Sequence, residues 1–219
     1  IFNSISLHGF AKTFYPNGNP RLLEFIKALR TLKLELGGFD KGPWICGGAT
    51  RRFLGNITED GDYDIFCKDQ AQYDSIVKIL RNWTNEILAP FRTTFINENE
   101  YNSSWEIGDY KVQIVKFPTT NNANIYEVLE SFDFTICMTG TDGTNIFYAD
   151  NGEDDGSALN HILLKKLAIN KITYPLSTMR RLIKYSKQGY FACEGCLKTI
   201  MEHIRTTERS ENDDIKYID

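Results

Sequence analysis

A chain of 219 residues, 42% hydrophobic and 25% charged, is long enough to bury a sizeable core and too apolar for wholesale disorder. A formal net charge of −4 argues against a general nucleic-acid coat, and no apolar run approaches the roughly 18 residues that a membrane span needs. No basic-then-apolar leader opens the sequence, and five cysteines, an odd number, point to reduced thiols, so a cytoplasmic setting is expected. Residues 1–20 are polar, aromatic and punctuated by Gly and Asn, and carry little signal. Over residues 21–36, Leu22, Leu23, Phe25, Ile26, Leu29, Leu32 and Leu34 recur near helical spacing, and Gly37-Gly38 is expected to end that helix.

Residues 43–68 hold the densest pattern. A short apolar strand, Trp44–Cys46, runs into Gly47-Gly48. A brief helix carrying Arg51 and Arg52 follows, then a turn at Gly55 and a second strand bearing Asp62 and Asp64 beside Ile65 and Phe66. Residues 69–87 predict a helix whose apolar side is Tyr73, Ile76, Val77 and Leu80. Residues 92–96 and 110–117 read as strands from their β-branched and aromatic alternation. A short helix is expected over residues 125–129. An apolar strand over residues 132–138 should pair with residues 144–148 across the Gly140-to-Gly143 turn.

A composition shift follows residue 156. Residues 158–205 carry nine basic side chains against Glu194 and Glu202, a local charge of +7 that leaves −11 for the remainder. The pattern predicts a helix over residues 159–169, a stop near Tyr174-Pro175, and a helix over 179–188 capped by Ser177 or Thr178. Arg180, Lys184 and Lys187 fall on one side of it. Such a patch meets a triphosphate or an RNA backbone, or it is a solvated face balancing an acidic domain.

The chemistry rests on Asp62 and Asp64. Side chains alternate along a strand, so the two carboxylates share a face, an arrangement favoured when a divalent cation sits between them. The double glycine offers backbone N–H groups at a helix N-terminus, which suits a phosphate. Together they suggest metal-assisted phosphoryl or nucleotidyl transfer. A calcium-loop reading of Asp60, Asp62 and Asp64 fails, because Ile65 stands where that loop needs Gly and Ala71 where it needs Glu. Asp60 and Glu59 read as solvated turn residues.

Gly-Gly-x-x-Arg-x-x-Leu-Gly followed by Asp-x-Asp resembles the signature of the DNA polymerase beta nucleotidyltransferase superfamily. It is most similar to the head domain of bacterial poly(A) polymerases and CCA-adding enzymes. The resemblance implies that Asp62 and Asp64 hold two Mg²⁺ ions and that Gly47 and Gly48 contact the triphosphate of an incoming nucleotide. Two-metal transfer asks for a third carboxylate. The neighbouring strand offers only Lys111 and Gln113 in its place, and the candidates left are Asp133, Glu106 and Asp109. Asp133-Phe134-Thr135-Ile136 also resembles part of that group's Arg-Arg-Asp-Phe-Thr-Ile motif, with Ser131 and Phe132 in place of the two arginines. The resemblance would assign Asp133 to the ribose. A structural role, paired with Arg51 or Arg52, is the other reading. The family's later nucleotide-selecting motif is not evident.

Cys193 and Cys196 with His203 supply only three zinc ligands, and cysteines at that helical spacing read as core or semi-core residues. His161, opening a helix, reads as a surface or packing residue. The expectation is an α+β nucleotidyltransferase domain over residues 1–157, a mixed, mostly antiparallel sheet flanked by helices, then a basic helical appendage with an acidic tail over 158–219. Its reaction would be attack of an acceptor hydroxyl on the α-phosphorus of a nucleoside triphosphate, with release of pyrophosphate. Arg51 or Arg52, with Arg180 and Lys184, would neutralise the β- and γ-phosphates. An RNA 3′ end is the favoured acceptor. A protein or small-molecule acceptor, or a silent nucleotide- or RNA-binding module, are the alternatives.

Overall fold

The computed structural model of the chain describes residues 1–18, 20–85, 91–116, 123–152 and 156–207. The strands are β1 (Phe2–Ser6), β2 (Trp44–Cys46), β3 (Tyr63–Phe66), β4 (Thr93–Glu98), β5 (Asn102–Ile107), β6 (Tyr110–Val115), β7 (Thr139–Thr141), β8 (Asn145–Ala149), β9 (Lys166–Leu167) and β10 (Phe191–Ala192). The helices are α1 (Leu7–Phe14), α2 (Arg21–Thr31), α3 (Gly48–Leu54), α4 (Gln70–Asn85), α5 (Ile125–Glu130), α6 (Ala158–Leu163), α7 (Pro175–Lys187) and α8 (Glu194–Thr206).

Eight strands form one sheet in the order β1-β8-β7-β2-β3-β6-β5-β4. Only β3 and β6 run parallel within it, so the mixed, mostly antiparallel α+β architecture expected from the sequence is the one observed. Residues alternate across β3. Tyr63 and Ile65 enter the large core with α1, α2, α3 and α4, while Phe66 packs with a smaller cluster of Trp44, Cys46, Phe147 and α5. Ile162, Leu167, Leu182, Tyr185, Tyr190 and Ile200 from the basic segment belong to the same large core. Among the described residues no helix is long and apolar enough to cross a membrane.

Several expected boundaries moved, each for a local reason. Lys33 adopts a left-handed φ of 57°, and the Leu34 N–H turns back to the Leu29 carbonyl at 2.9 Å, which closes α2 well before Gly37. Leu32 and Leu34 are still buried, so the apolar spacing outlives the helix. Residues 132–138 are not a strand. Thr135–Cys137 make one 3₁₀ turn, and the hairpin with β8 uses β7 instead. Lys165, at φ 55°, ends the helix predicted over 159–169, and β9 follows. Pro175 begins α7 rather than stopping a chain segment, because its missing N–H would have had no partner in a first turn. Ser177 and Thr178 are buried within that helix. The expected continuation of α4 to residue 87, Phe117, and the acidic tail over 208–219 lie outside the described residues.

Burial dominates the titration of this core. It pushes the Cys67 thiol and the Tyr63 and Tyr73 hydroxyls up to about 12, and the Cys137 thiol up to about 11. Unfolding returns these groups to ordinary values of 9.0 and 10.0, so their stabilisation is intact below pH 9.0 and is lost as pH climbs through the folded values. The urea midpoint should therefore fall between pH 9.0 and about 11, and a flat profile there would contradict the buried placement.

Candidate functional site

The site begins where β2 runs out. Gly47 sits at φ 76°, ψ −118°, a conformation open to glycine, and a Cβ there would stand 3.2 Å from the Phe132 ring. The turn is locked from beneath. The Gly47 N–H donates to the Thr139 carbonyl at 2.7 Å, and the buried Thr50 hydroxyl lies within hydrogen-bond distance of the Gly47 and Thr139 carbonyls. This corrects the expectation that both glycines present free amides. The Gly47 donor is committed to β7, and the first turn of α3, whose amides have no partner within the helix, begins with the half-buried Gly48.

Asp62 and Asp64 flank the inward-pointing Tyr63, Asp62 exposed and Asp64 half-buried. Asp62 directly precedes the first residue of β3. On the parallel neighbour β6, Gln113 is in register with Asp64, and its Nε2 donates to Asp62 Oδ2 at 3.4 Å. The Asp64 charge reaches across to β2, where burial first and Asp64 second push the Cys46 thiol up. Phe66 continues the same face and meets Phe132 edge-on at 5.7 Å between ring centroids. Two carboxylates, a carboxamide and an aromatic pair thus lie along β3 and its neighbours, Asp62 exposed and the others half-buried.

The two arginines of α3 divide. Arg52 donates from Nη2 to the Asp62 carbonyl at 2.8 Å, and its Nη1 lies 3.1 Å from where a Cβ on Gly48 would stand. Its guanidinium also sits 5.8 Å from the centre of the Tyr63 ring. Arg52 thus ties α3 to the segment that carries the acids. Arg51 is only 3% exposed and turns inward. It donates to Gln188 Oε1 at 3.1 Å and to the Tyr190 hydroxyl at 3.3 Å, under the Tyr185 and Tyr190 rings. Its Nε has no hydrogen-bond partner among the described residues. The geometry sets Arg51 against the basic segment, not beside Gly48.

Asp133 is buried and bound by Arg181 Nη1 at 2.7 Å. The arginine expected as its partner, Arg51 or Arg52, is replaced by one from α7 that helical spacing alone could not single out. Arg180 and Lys184 lie on the exposed side of the same helix. Of the remaining acids, Asp109 is an exposed turn residue, and Glu106 on β5 is separated from the aspartates by Lys111 of β6. His161 is buried, the packing one of its two expected readings, and its Nδ1 lies 2.7 Å from Thr135 Oγ1. Cys193 is exposed rather than part of a core, with Cys196 half-buried beside it.

Residues 21–155, more than half of the chain, match the Gabija anti-defense 2 (Gad2) family. The chain belongs to that family. No curated protein matches it. Among solved structures, this family member is similar to a Thermotoga maritima CCA-adding enzyme complexed with tRNA, with a TM-score of 0.63 and 13% identity over 92% of this chain and 46% of that one. A CCA-adding enzyme solved with ATP gives a TM-score of 0.61 at 13% identity, again over 92% and 46%. A tRNA-processing enzyme gives 0.52 at 17% identity, over 86% and 48%. The likeness establishes a nucleotidyltransferase fold for the Gad2 chain, which spans about half the length of those solved structures.

A divalent ion of the kind expected from the sequence would find two carboxylates here, Asp62 and Asp64. Carboxylates one residue to either side of Tyr63 suffice for Mg²⁺ when substrate phosphates complete its shell. A second ion asks for a third carboxylate. No cluster of three or more acidic, His or Cys ligands occurs among the described residues, and Gln113 stands on the adjacent strand instead. The feature that the sequence reading missed is Phe132. The sequence places it in an apolar strand and in the position of an arginine, yet its ring covers Gly47 and abuts Phe66. An aromatic that follows a short helix carries no local signal of which glycine it will cover.

Proposed function

We propose that this Gad2 chain is a metal-dependent nucleotidyltransferase that moves a nucleoside monophosphate from a nucleoside triphosphate to an acceptor hydroxyl, releasing pyrophosphate. One observation carries the reading: Asp62 and Asp64 flank Tyr63 at the start of β3, with Gln113 of β6 in register with Asp64 and donating to Asp62, and Arg52 of α3 donating to the Asp62 carbonyl. Asp62 and Asp64 would hold Mg²⁺, which when bound lowers the pKa of the attacking hydroxyl and offsets charge at phosphorus. The backbone amide of Gly48 and the Arg52 guanidinium would bind phosphate oxygens. Phe66 and Phe132 would exclude water from one side of the nucleotide. Arg51 and Asp133 would serve as structural ions that dock α3 and the 3₁₀ turn onto α7. Arg180 and Lys184 would lend positive potential without direct contact.

The solved relatives bound to tRNA and ATP support an RNA 3′ hydroxyl as acceptor. The anti-defense family description favours a hydroxyl on a component of the Gabija defence. Incubation with each labelled nucleoside triphosphate, Mg²⁺, total RNA and the Gabija proteins separates them. Label in RNA supports the first acceptor and label in protein the second, while none in either with nucleotide still bound supports a silent binding module. Gln113 is the observation behind that last reading, since an amide stands where two-metal chemistry wants a carboxylate. Gln113→Glu should accordingly raise Mg²⁺ affinity by about 10-fold, the scale on which ligand surroundings tune metal sites. Unchanged affinity in a metal titration would show that position 113 does not face the ion.

A further inference from the structure

Five cysteines divide into two kinds. Cys46, Cys67 and Cys137 are buried, whereas Cys193 and Cys196 lie at the surface end of the basic segment. There β10 pairs in parallel with β9 and delivers the chain directly to α8. Cys193 is the N-cap of that 13-residue helix, and Cys196 follows within its first turn. Their sulfurs are 3.8 Å apart, closer than two unrelated surface thiols would be held. The Cys196 thiol also donates to the Leu167 carbonyl on β9 at 3.3 Å, which fixes it on the inner side of the pair. One thiol is therefore presented to solvent and the other is held behind it.

We propose that Cys193 and Cys196 form a redox-active dithiol that a low-molecular-weight disulfide oxidises to an intramolecular disulfide. The Cys193 thiolate attacks one sulfur of R–S–S–R, forming a Cys193–S–S–R mixed disulfide and expelling RS⁻. Cys196 then loses its proton to solvent, attacks Cys193 Sγ and expels the second RS⁻. The protein loses two electrons and two protons, and R–S–S–R becomes two thiols. Cys193 is suited to the first step by exposure and by the first turn of α8, whose positive end favours a thiolate. Its pKa is drawn below the ordinary thiol value by the Cys196 backbone N–H and then by the Cys196 thiol. Cys196 is suited to the second by its position, and burial keeps its own thiol protonated until then. Zinc has no comparable claim, because His203 turns its Nδ1 to the Thr199 carbonyl a full turn along the same helix. The inference is independent of nucleotidyl transfer.

The test uses the full chain with oxidised glutathione as probe, followed by acid quench, alkylation under denaturing conditions and peptide mass mapping. The expected result is an internal disulfide joining positions 193 and 196, while Cys46, Cys67 and Cys137 are recovered as alkylated thiols. Cys196→Ser should instead accumulate a stable glutathione adduct on Cys193, and Cys193→Ser should slow reaction of the remaining thiol by about 10-fold or more. Phenylarsine oxide, which bridges paired thiols, should bind the reduced chain one-to-one and fail to bind either variant. A native chain that keeps a lasting mixed disulfide at Cys193, or that leaves both thiols unreacted, would overturn the proposal without reference to any variant's folding.

Discussion

Replacing Asp62 and Asp64 together with alanine should abolish nucleotide transfer while leaving the unfolding midpoint unchanged. Loss of a group that merely orients a metal ligand already costs about 10–100-fold. Loss of the ligands themselves should exceed about 100-fold in rate. The change should be nearly neutral for stability, within about 0.5 kcal/mol, because Asp62 is exposed, Asp64 only half-buried, and two like charges two residues apart are removed. Rate and stability thus separate in one double variant. Transfer at the parental rate would remove these residues from the chemistry, and a collapsed midpoint would make their role structural.

Asp133→Ala should show the opposite signature, a loss of stability of about 3 kcal/mol from stranding a charge in a buried ion pair. Asp133 accepts from Arg181 at 2.7 Å with side-chain exposures of 8% and 22%, so water screens the pair poorly. The carbonyl of Asp133 accepts from Asn170, whose side chain also donates to the Phe132 carbonyl at 2.8 Å. The pair therefore anchors the segment that sets the Phe132 ring over Gly47. In a double-mutant cycle, Asp133→Ala with Arg181→Met should cost less than the sum of the single changes, since the second change removes the stranded charge. A midpoint indifferent to Asp133→Ala, with transfer lost, would instead assign the carboxylate to ribose or metal.

What could be read from the sequence was what short-range chemistry dictates. Trp44–Cys46, the double glycine, α3 and the aspartates around Tyr63 each follow from spacing within some twenty residues, and the fold keeps them together. The buried face of α4, Tyr73, Ile76, Val77 and Leu80, was legible for the same reason. β5 was not, because Asn102–Ile107 alternates Ser103, Trp105 and Ile107 inward with polar residues outward, and only Trp and Ile advertise a strand. Residues 132–138 misled by being apolar throughout. They are buried by neighbours on several sides rather than by sheet pairing, and hydrophobicity alone does not tell the two apart. Arg51 and Arg52 could not be separated in advance, since adjacent residues on a helix point in different directions and the burial of one depends on Tyr185 and Tyr190, far along the chain.

The most direct test is to add Mn²⁺ and a non-hydrolysable nucleoside triphosphate to isotope-labelled protein and read paramagnetic broadening residue by residue. Broadening should centre on the amides of Gly48, Ala49 and residues 62–64, and it should vanish in Asp64→Asn. Broadening centred elsewhere, or undiminished in that variant, would contradict the assignment of this face to metal and nucleotide.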